Sequence, residues 1–152
     1  FDQLTRQERE SIKAYLGSNS TRLAKKFNLT MTPSRMDIVA LYYSRHITDI
    51  GKAVQQIKSY YDEVKRIELY FFKNHDINIV LEEEAIDFII ERLVRSDIHL
   101  DAFYKQLNLD FEHGLKLVRE KTGRNRFFIT RDALLGPENF IRNLLSTELP
   151  AQ

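Results

Sequence analysis

Histidines, a glutamate run and a cluster of cations are the side chains whose chemistry and spacing bear first on what this chain does. His46, His75, His99 and His113 stand far apart, with no i,i+4 pairing and no cysteine to complete a ligand set. A metal site would need the fold to gather them, so helix-end and surface roles are expected, and no metal ligand is assigned. Glu82-Glu83-Glu84 reads as a solvated helix start, where carboxylates meet the positive end of the dipole, ahead of a cation site. The one Gly-Lys pair, Gly51-Lys52, is followed by Ala53 inside a helical pattern. A phosphate-cradling loop needs Ser or Thr after that lysine, so the chain does not hold ATP by that route. A serine-hydrolase elbow, an HExxH zinc helix and an EF-hand loop are likewise missing, and no catalytic residue is assigned.

The densest basic stretch is Lys116, Arg119, Lys121, Arg124, Arg126 and Arg131, with Glu120 inside it. Cations late in a helix favour its negative end, and that is the first reading. The second makes Lys116, Arg119, Lys121, Arg124 and Arg126 a surface for a phosphate-bearing or acidic partner. A loose helix-turn-helix pattern spans Ser20 to Tyr43, with a reading helix from Pro33 to Arg45. That helix has only Arg35 and Arg45 as cations, with Asp37 between them, so DNA binding is a rival and not the main expectation.

The 152 residues are enough for one domain with a core, or for one domain and a helical extension. A hydrophobic share of 43% with 30% charged residues places the chain among globular proteins. No apolar run approaches the roughly 20 residues that cross a bilayer, and the polar opening Asp2-Gln3-Leu4-Thr5-Arg6 is unlike a secretory leader. Without cysteine, an intracellular, cytoplasmic home is expected. The net charge of +1 offers no global pull on nucleic acid or membrane, and neither is expected as a partner. The missing initiating Met predicts that the chain is a piece of a longer protein or has lost upstream residues.

The predicted elements must position whatever chemistry exists. Thr5 with Glu8 has the spacing of a reciprocal helix cap, and the break at Gly17-Ser18-Asn19-Ser20 precedes a short helix capped by Ser20 or Thr21. Thr32-Pro33 starts the next helix. A long amphipathic helix runs from about Asp49 to Phe72, and Asn74-His75-Asp76 turns into an alternating strand, Ile77 to Leu81. A helix headed by Glu82 to Glu84 then buries Ile86, Ile89, Ile90 and Leu93, with Glu91 and Arg95 paired on its surface. Beyond it come a short helix from Leu100 to Leu107, a second helix capped by Asp110 and closed by Gly123, and a strand at Arg126 to Thr130. Thr130 caps a last helical stretch interrupted at Gly136-Pro137.

From Lys58 onwards the chain resembles the C-terminal small domain, or lid, of ClpX-type AAA+ unfoldases. The matching residues are Lys58-Ser59-Tyr60-Tyr61 in a long helix ending in Tyr70-Phe71-Phe72, then Ile77-Asn78-Ile79-Val80-Leu81-Glu82 and Glu84-Ala85-Ile86. His113-Gly114-Leu115 at a helix start and Phe127-Phe128-Ile129-Thr130 in a closing strand complete the match. The resemblance implies a mostly helical α+β fold with a helix-strand-helix-helix-strand core and a small sheet. The lid-like domain would occupy 51–148, with a helical extension or insertion at 1–50 and a tail at 149–152.

It further implies a non-catalytic lid that couples nucleotide state to subunit motion. ATP and Mg would be held by the parent protein and none by this piece alone. The partners implied are its own large ATPase domain and the neighbouring subunits of a homo-oligomeric ring, with a protein substrate beyond them. The family's second-sensor arginine falls at His113, a shorter and partly charged donor, so His113 and Lys116 become the nucleotide-facing residues. Tyr42, Tyr43, Tyr60, Phe72 and Phe127 are candidates for the surface between subunits.

Overall fold

A computed structural model describes residues 6–96 and 98–148. The described residues open with three helices, α1 (Arg6–Ser18), α2 (Ser20–Phe27) and α3 (Pro33–Arg45). The cap expected from Thr5 lies outside the described residues. Asn19, and not Ser20 or Thr21, occupies the cap position of α2, and its side chain turns back to donate to the Tyr15 carbonyl at 2.8 Å. Thr32 behaves as its sequence predicts, accepting the Arg35 N–H at 3.2 Å with Pro33 opening α3.

α4 (Ile50–His75) is the spine of the molecule. Asp49 caps it through the Lys52 N–H at 2.8 Å, and Ala53, Val54, Ile57, Val64, Ile67 and Phe71 form its buried stripe. The turn expected over Asn74 to Asp76 is instead the last helical turn plus Asp76, which adopts a left-handed φ of 56° and returns its N–H to Phe72. Nothing in Asn74 or His75 stops a helix, and Asp is among the few residues that tolerate the left-handed cap.

β1 (Asn78–Leu81) pairs in parallel with β2 (Arg126–Ile129), residue against residue from Asn78↔Arg126 to Leu81↔Ile129. A parallel pair cannot be closed by a hairpin, and the crossover is supplied by α5 (Glu83–Ser96) and α6 (Leu100–Thr122). The result is a mostly helical α+β fold with a two-stranded sheet. Ile79, Leu81, Phe127 and Ile129 are buried on one sheet face, while Asn78, Arg126 and Phe128 are exposed on the other. α4 flanks the outer edge of β1, where Glu68 Oε2 accepts the Leu81 N–H at 2.8 Å.

The two helices expected between Leu100 and Gly123 are one. Asp110, expected as a cap, sits mid-helix and accepts from Gln106 one turn earlier at 2.9 Å. No glycine or proline lies between Leu107 and Asp110, and Leu107, Phe111, Leu115 and Val118 make an unbroken buried stripe, so the helix has no cause to stop there. It ends at Gly123, whose φ of 78° is the left-handed conformation a glycine adopts without cost. Thr130 then caps α7 (Arg131–Leu135) through the Ala133 N–H at 3.1 Å, and α8 (Pro137–Glu148) follows the break at Gly136.

One contiguous apolar core runs from Leu16 through Ile38, Ile57, Ile89 and Phe111 to Ala133. It therefore crosses residue 50, where the sequence places a domain boundary. α3 packs against α1, α4 and α5, and α8 against α6. Each fully buried Ile, Leu or Phe in such a core contributes roughly 1.5–3 kcal/mol against exposure.

Candidate functional site

His113 and Lys116 lie one turn apart in the middle of α6, not at a helix start. A mid-helix position has its backbone N–H groups committed to the helix and offers none to a phosphate. His113 is exposed, whereas Lys116 donates to Glu112 Oε2 at 2.8 Å. The other oxygen of Glu112 lies 3.6 Å from His75 Nδ1, and His75 Nε2 is 2.8 Å from Asn108 Oδ1. The lysine's hydrogen bond holds the Glu112 carboxyl below its ordinary value, with the nearby histidines assisting. Lys116 is thus part of a polar seam between α6 and the end of α4. Gly114, between the two residues, has a packing role: a Cβ there would lie 2.8–2.9 Å from three side-chain carbons of Ile141 on α8.

The basic stretch is largely engaged in finishing the fold. Arg119 Nη1 donates to the Asp76 carbonyl at 2.7 Å, and Asn125 Nδ2 reaches the same oxygen at 3.0 Å. A cation serving the last carbonyls of α4 is the interaction a helix C-terminus favours. Arg124 donates to the Arg126 carbonyl at 2.9 Å and lies over the Phe127 ring, while Arg126 lies over Phe128. Lys121 is exposed in the last turn of α6. Arg131 sits over Phe88 on α5, away from this seam. Lys116, Arg119, Lys121, Arg124 and Arg126 therefore follow the C-terminal half of α6 into β2, with Lys116, Arg119 and Arg124 committed to intramolecular partners.

A cluster around the buried Arg35 and Asp87, which the sequence did not flag, joins α3, α4 and α5. Arg35 is 1% exposed; its Nε and Nη2 both reach Asp87 Oδ1, at 3.0 and 2.9 Å. Nη1 donates to the Thr30 carbonyl at 3.0 Å, and Nη2 also reaches Glu83 Oε1 at 3.2 Å. The Tyr61 ring lies 4.9 Å from the guanidinium, and its hydroxyl donates to Glu83 Oε2 at 2.9 Å. Burial, with the Glu83 hydrogen bond and charge behind it, pushes the Tyr61 phenol up to about 12. Burial likewise raises the Asp87 carboxyl, against the opposing pull of Arg35 and a Ser34 hydrogen bond. A phenol so high is no acid or base near neutrality, and the cluster works as a clamp. The available sequence signal was Glu83 and Asp87, four apart on one helix face, but their cation is 52 positions from Asp87.

Arg35 is also one of the two cations on which helix-turn-helix reading of DNA would depend. With α1, α4 and α5 around it, α3 exposes Pro33, Ser34 and Asp37, and has no basic face to lay in a groove.

Apolar surface is the remaining asset. Phe88, Ile89, Leu93, Ile98, Phe103, Leu107 and Leu134 line a groove of about 230 Å³ between α5, α6 and α7, with Arg92 and Asp110 at its rim. Leu109 and Leu135 are 79% and 59% exposed near α7, and Leu69, Tyr70 and Phe72 stand out on the C-terminal half of α4. Of the aromatics proposed for a subunit surface, Phe72 is exposed, Tyr42, Tyr43 and Tyr60 are half-buried against the core, and Phe127 is fully buried. Phe127 is corrected to a core residue, because the strand alternation turns it toward the helices and Phe128 outward. Among the described residues no group of three histidine or carboxylate side chains is placed to hold a metal, and no helix is long and apolar enough to cross a membrane. Compared with protein-family models, curated proteins and solved structures, the chain matches none of them.

Proposed function

We propose that the chain is a non-catalytic, lid-type small domain of an intracellular AAA+ ATPase. It packs beside its own large ATPase domain and against a neighbouring subunit, and its rigid-body movement carries nucleotide state around a homo-oligomeric ring. The observation that carries the reading is the parallel, in-register pairing of β1 with β2 across α5 and α6, which makes α4, β1, α5, α6 and β2 one closed unit. Exposed apolar side chains at Leu69, Phe72, Leu109 and Leu135 supply contact surface for such packing. The part taken by this domain is mechanical, with His113 exposed mid-helix and Lys116 held by Glu112.

Two measurements test the proposal together. The purified chain is expected to turn over no ATP and to bind a fluorescent ATP analogue negligibly, and the full coding sequence is expected to carry a P-loop upstream. Hydrolysis by the purified chain, or a complete gene without that loop, overturns the motor assignment and leaves a plain interaction domain.

A further inference from the structure

Among the described residues β2 has one edge with no strand beside it, and the ladder identifies which groups it exposes. Asn78 donates to the Asn125 carbonyl at 3.2 Å and Glu82 to the Ile129 carbonyl at 3.0 Å. In a parallel pair of this register, Phe127 and Ile129 therefore turn their N–H and C=O toward β1, while Arg126 and Phe128 turn theirs away. The matching outward group on β1, the Leu81 N–H, is occupied by Glu68. On β2 the outward Arg126 carbonyl takes the Arg124 guanidinium. The Phe128 N–H and C=O have no partner among the described residues, and β1 is the one described element that runs alongside β2.

β2 and the residues leading into and out of it carry cations between Glu120 and Asp132. Residues 121–131 contain Lys121, Arg124, Arg126 and Arg131 and no acid. Two of these cations are held at the edge itself, Arg124 over the Phe127 ring at 5.3 Å and Arg126 over the Phe128 ring at 5.4 Å. Phe128, 44% exposed, presents an apolar ring beside them.

We propose that this edge receives an extended segment of a partner protein bearing acidic side chains, added as a third strand beside Arg126–Ile129. The Phe128 backbone supplies the hydrogen bonds, Arg126 selects for carboxylates, and the Phe128 ring covers an apolar residue of the incoming strand. A second copy of this chain is the wrong occupant, because pairing β2 with β2 opposes arginine-rich strands of like charge. The inference stands apart from the ATPase assignment, since it needs the β2 edge alone.

The test titrates the intact, isotopically labelled chain with a blocked synthetic peptide of alternating Glu and Val. Saturable shifts are expected at the amides of residues 126–130, together with slowed hydrogen exchange at the Phe128 amide and weakening as salt rises. Phe128→Pro removes one outward N–H and leaves the β1 ladder intact, since proline is tolerated where an edge strand's N–H faces solvent. This variant is expected to bind roughly tenfold more weakly or not at all. If it fails to fold, a peptide N-methylated on its pairing face asks the same question of the unaltered chain. Absence of saturable binding up to about 1 mM peptide overturns the proposal. So does affinity indifferent to both changes, equal binding of a Lys-Val peptide, or tighter binding of oligothymidylate at the same amides.

Discussion

Arg35 shows how far a residue's role can lie from its type. As a cation on a helix it reads as surface, yet it is buried with its guanidinium divided among Asp87, Glu83 and the Thr30 carbonyl. Removing one partner of a buried pair strands the other, so Arg35→Met is expected to destabilise the fold by about 3–5 kcal/mol. Replacing both, Arg35→Met with Asp87→Leu, is expected to recover most of that loss in urea or thermal unfolding. A double variant no better than the single would show that the pair is not the clamp.

The pH dependence follows from the same carboxyl. Asp87 is raised in the folded state, which therefore binds its proton more readily than the unfolded chain does. Its contribution to stability consequently falls as pH rises from the ordinary carboxylate range through the raised value. Arg35 opposes that rise, so Arg35→Met should show the steeper loss of stability across the same interval. The clamp was not legible in sequence because its charges come from distant segments, and nothing local distinguishes Arg35 from an exposed arginine.

At the scale of elements, the decisive contact is the crossing of α6 by α8. Gly114 is the residue that the lid resemblance places at a helix start, but its position under Ile141 explains it as a point of close approach. Gly114→Ala would gain about 1 kcal/mol of helix propensity. It would also force a methyl against a side chain 2.8–2.9 Å away. Overpacking of this kind costs about 1–3 kcal/mol, so a net loss of stability is expected, relieved when Ile141→Val is added. A higher midpoint for Gly114→Ala in thermal unfolding would remove the close-packing account. Helix starts at Thr32, Asp49 and Thr130 were readable because a cap acts within three or four residues. Asp110 suggests a division that α6 does not make, because a potential cap starts a new helix only where something stops the one before it.

For the whole molecule, one core links the first three helices to the sheet-bearing remainder. Ile38 and Val39 of α3 share it with Ile57 of α4 and Ile89 of α5, and the Arg35 clamp crosses the same junction. A single cooperative transition is expected, with far-UV circular dichroism and tyrosine fluorescence changing together. Separate melting of an N-terminal unit would contradict the shared core.

Periodicity and local caps determined, from the sequence alone, a mostly helical α+β chain with two short strands and the buried stripes of α4 and α5. Those are short-range properties, since alternation and three- and four-residue spacing are set by backbone geometry within one element. The tertiary structure alone decided the parallel register of β1 with β2, the burial of Arg35 against Asp87, the close approach over Gly114 and the open edge at Phe128. Each depends on which distant segments meet, and on the low polarity of the space between them, neither of which local spacing records.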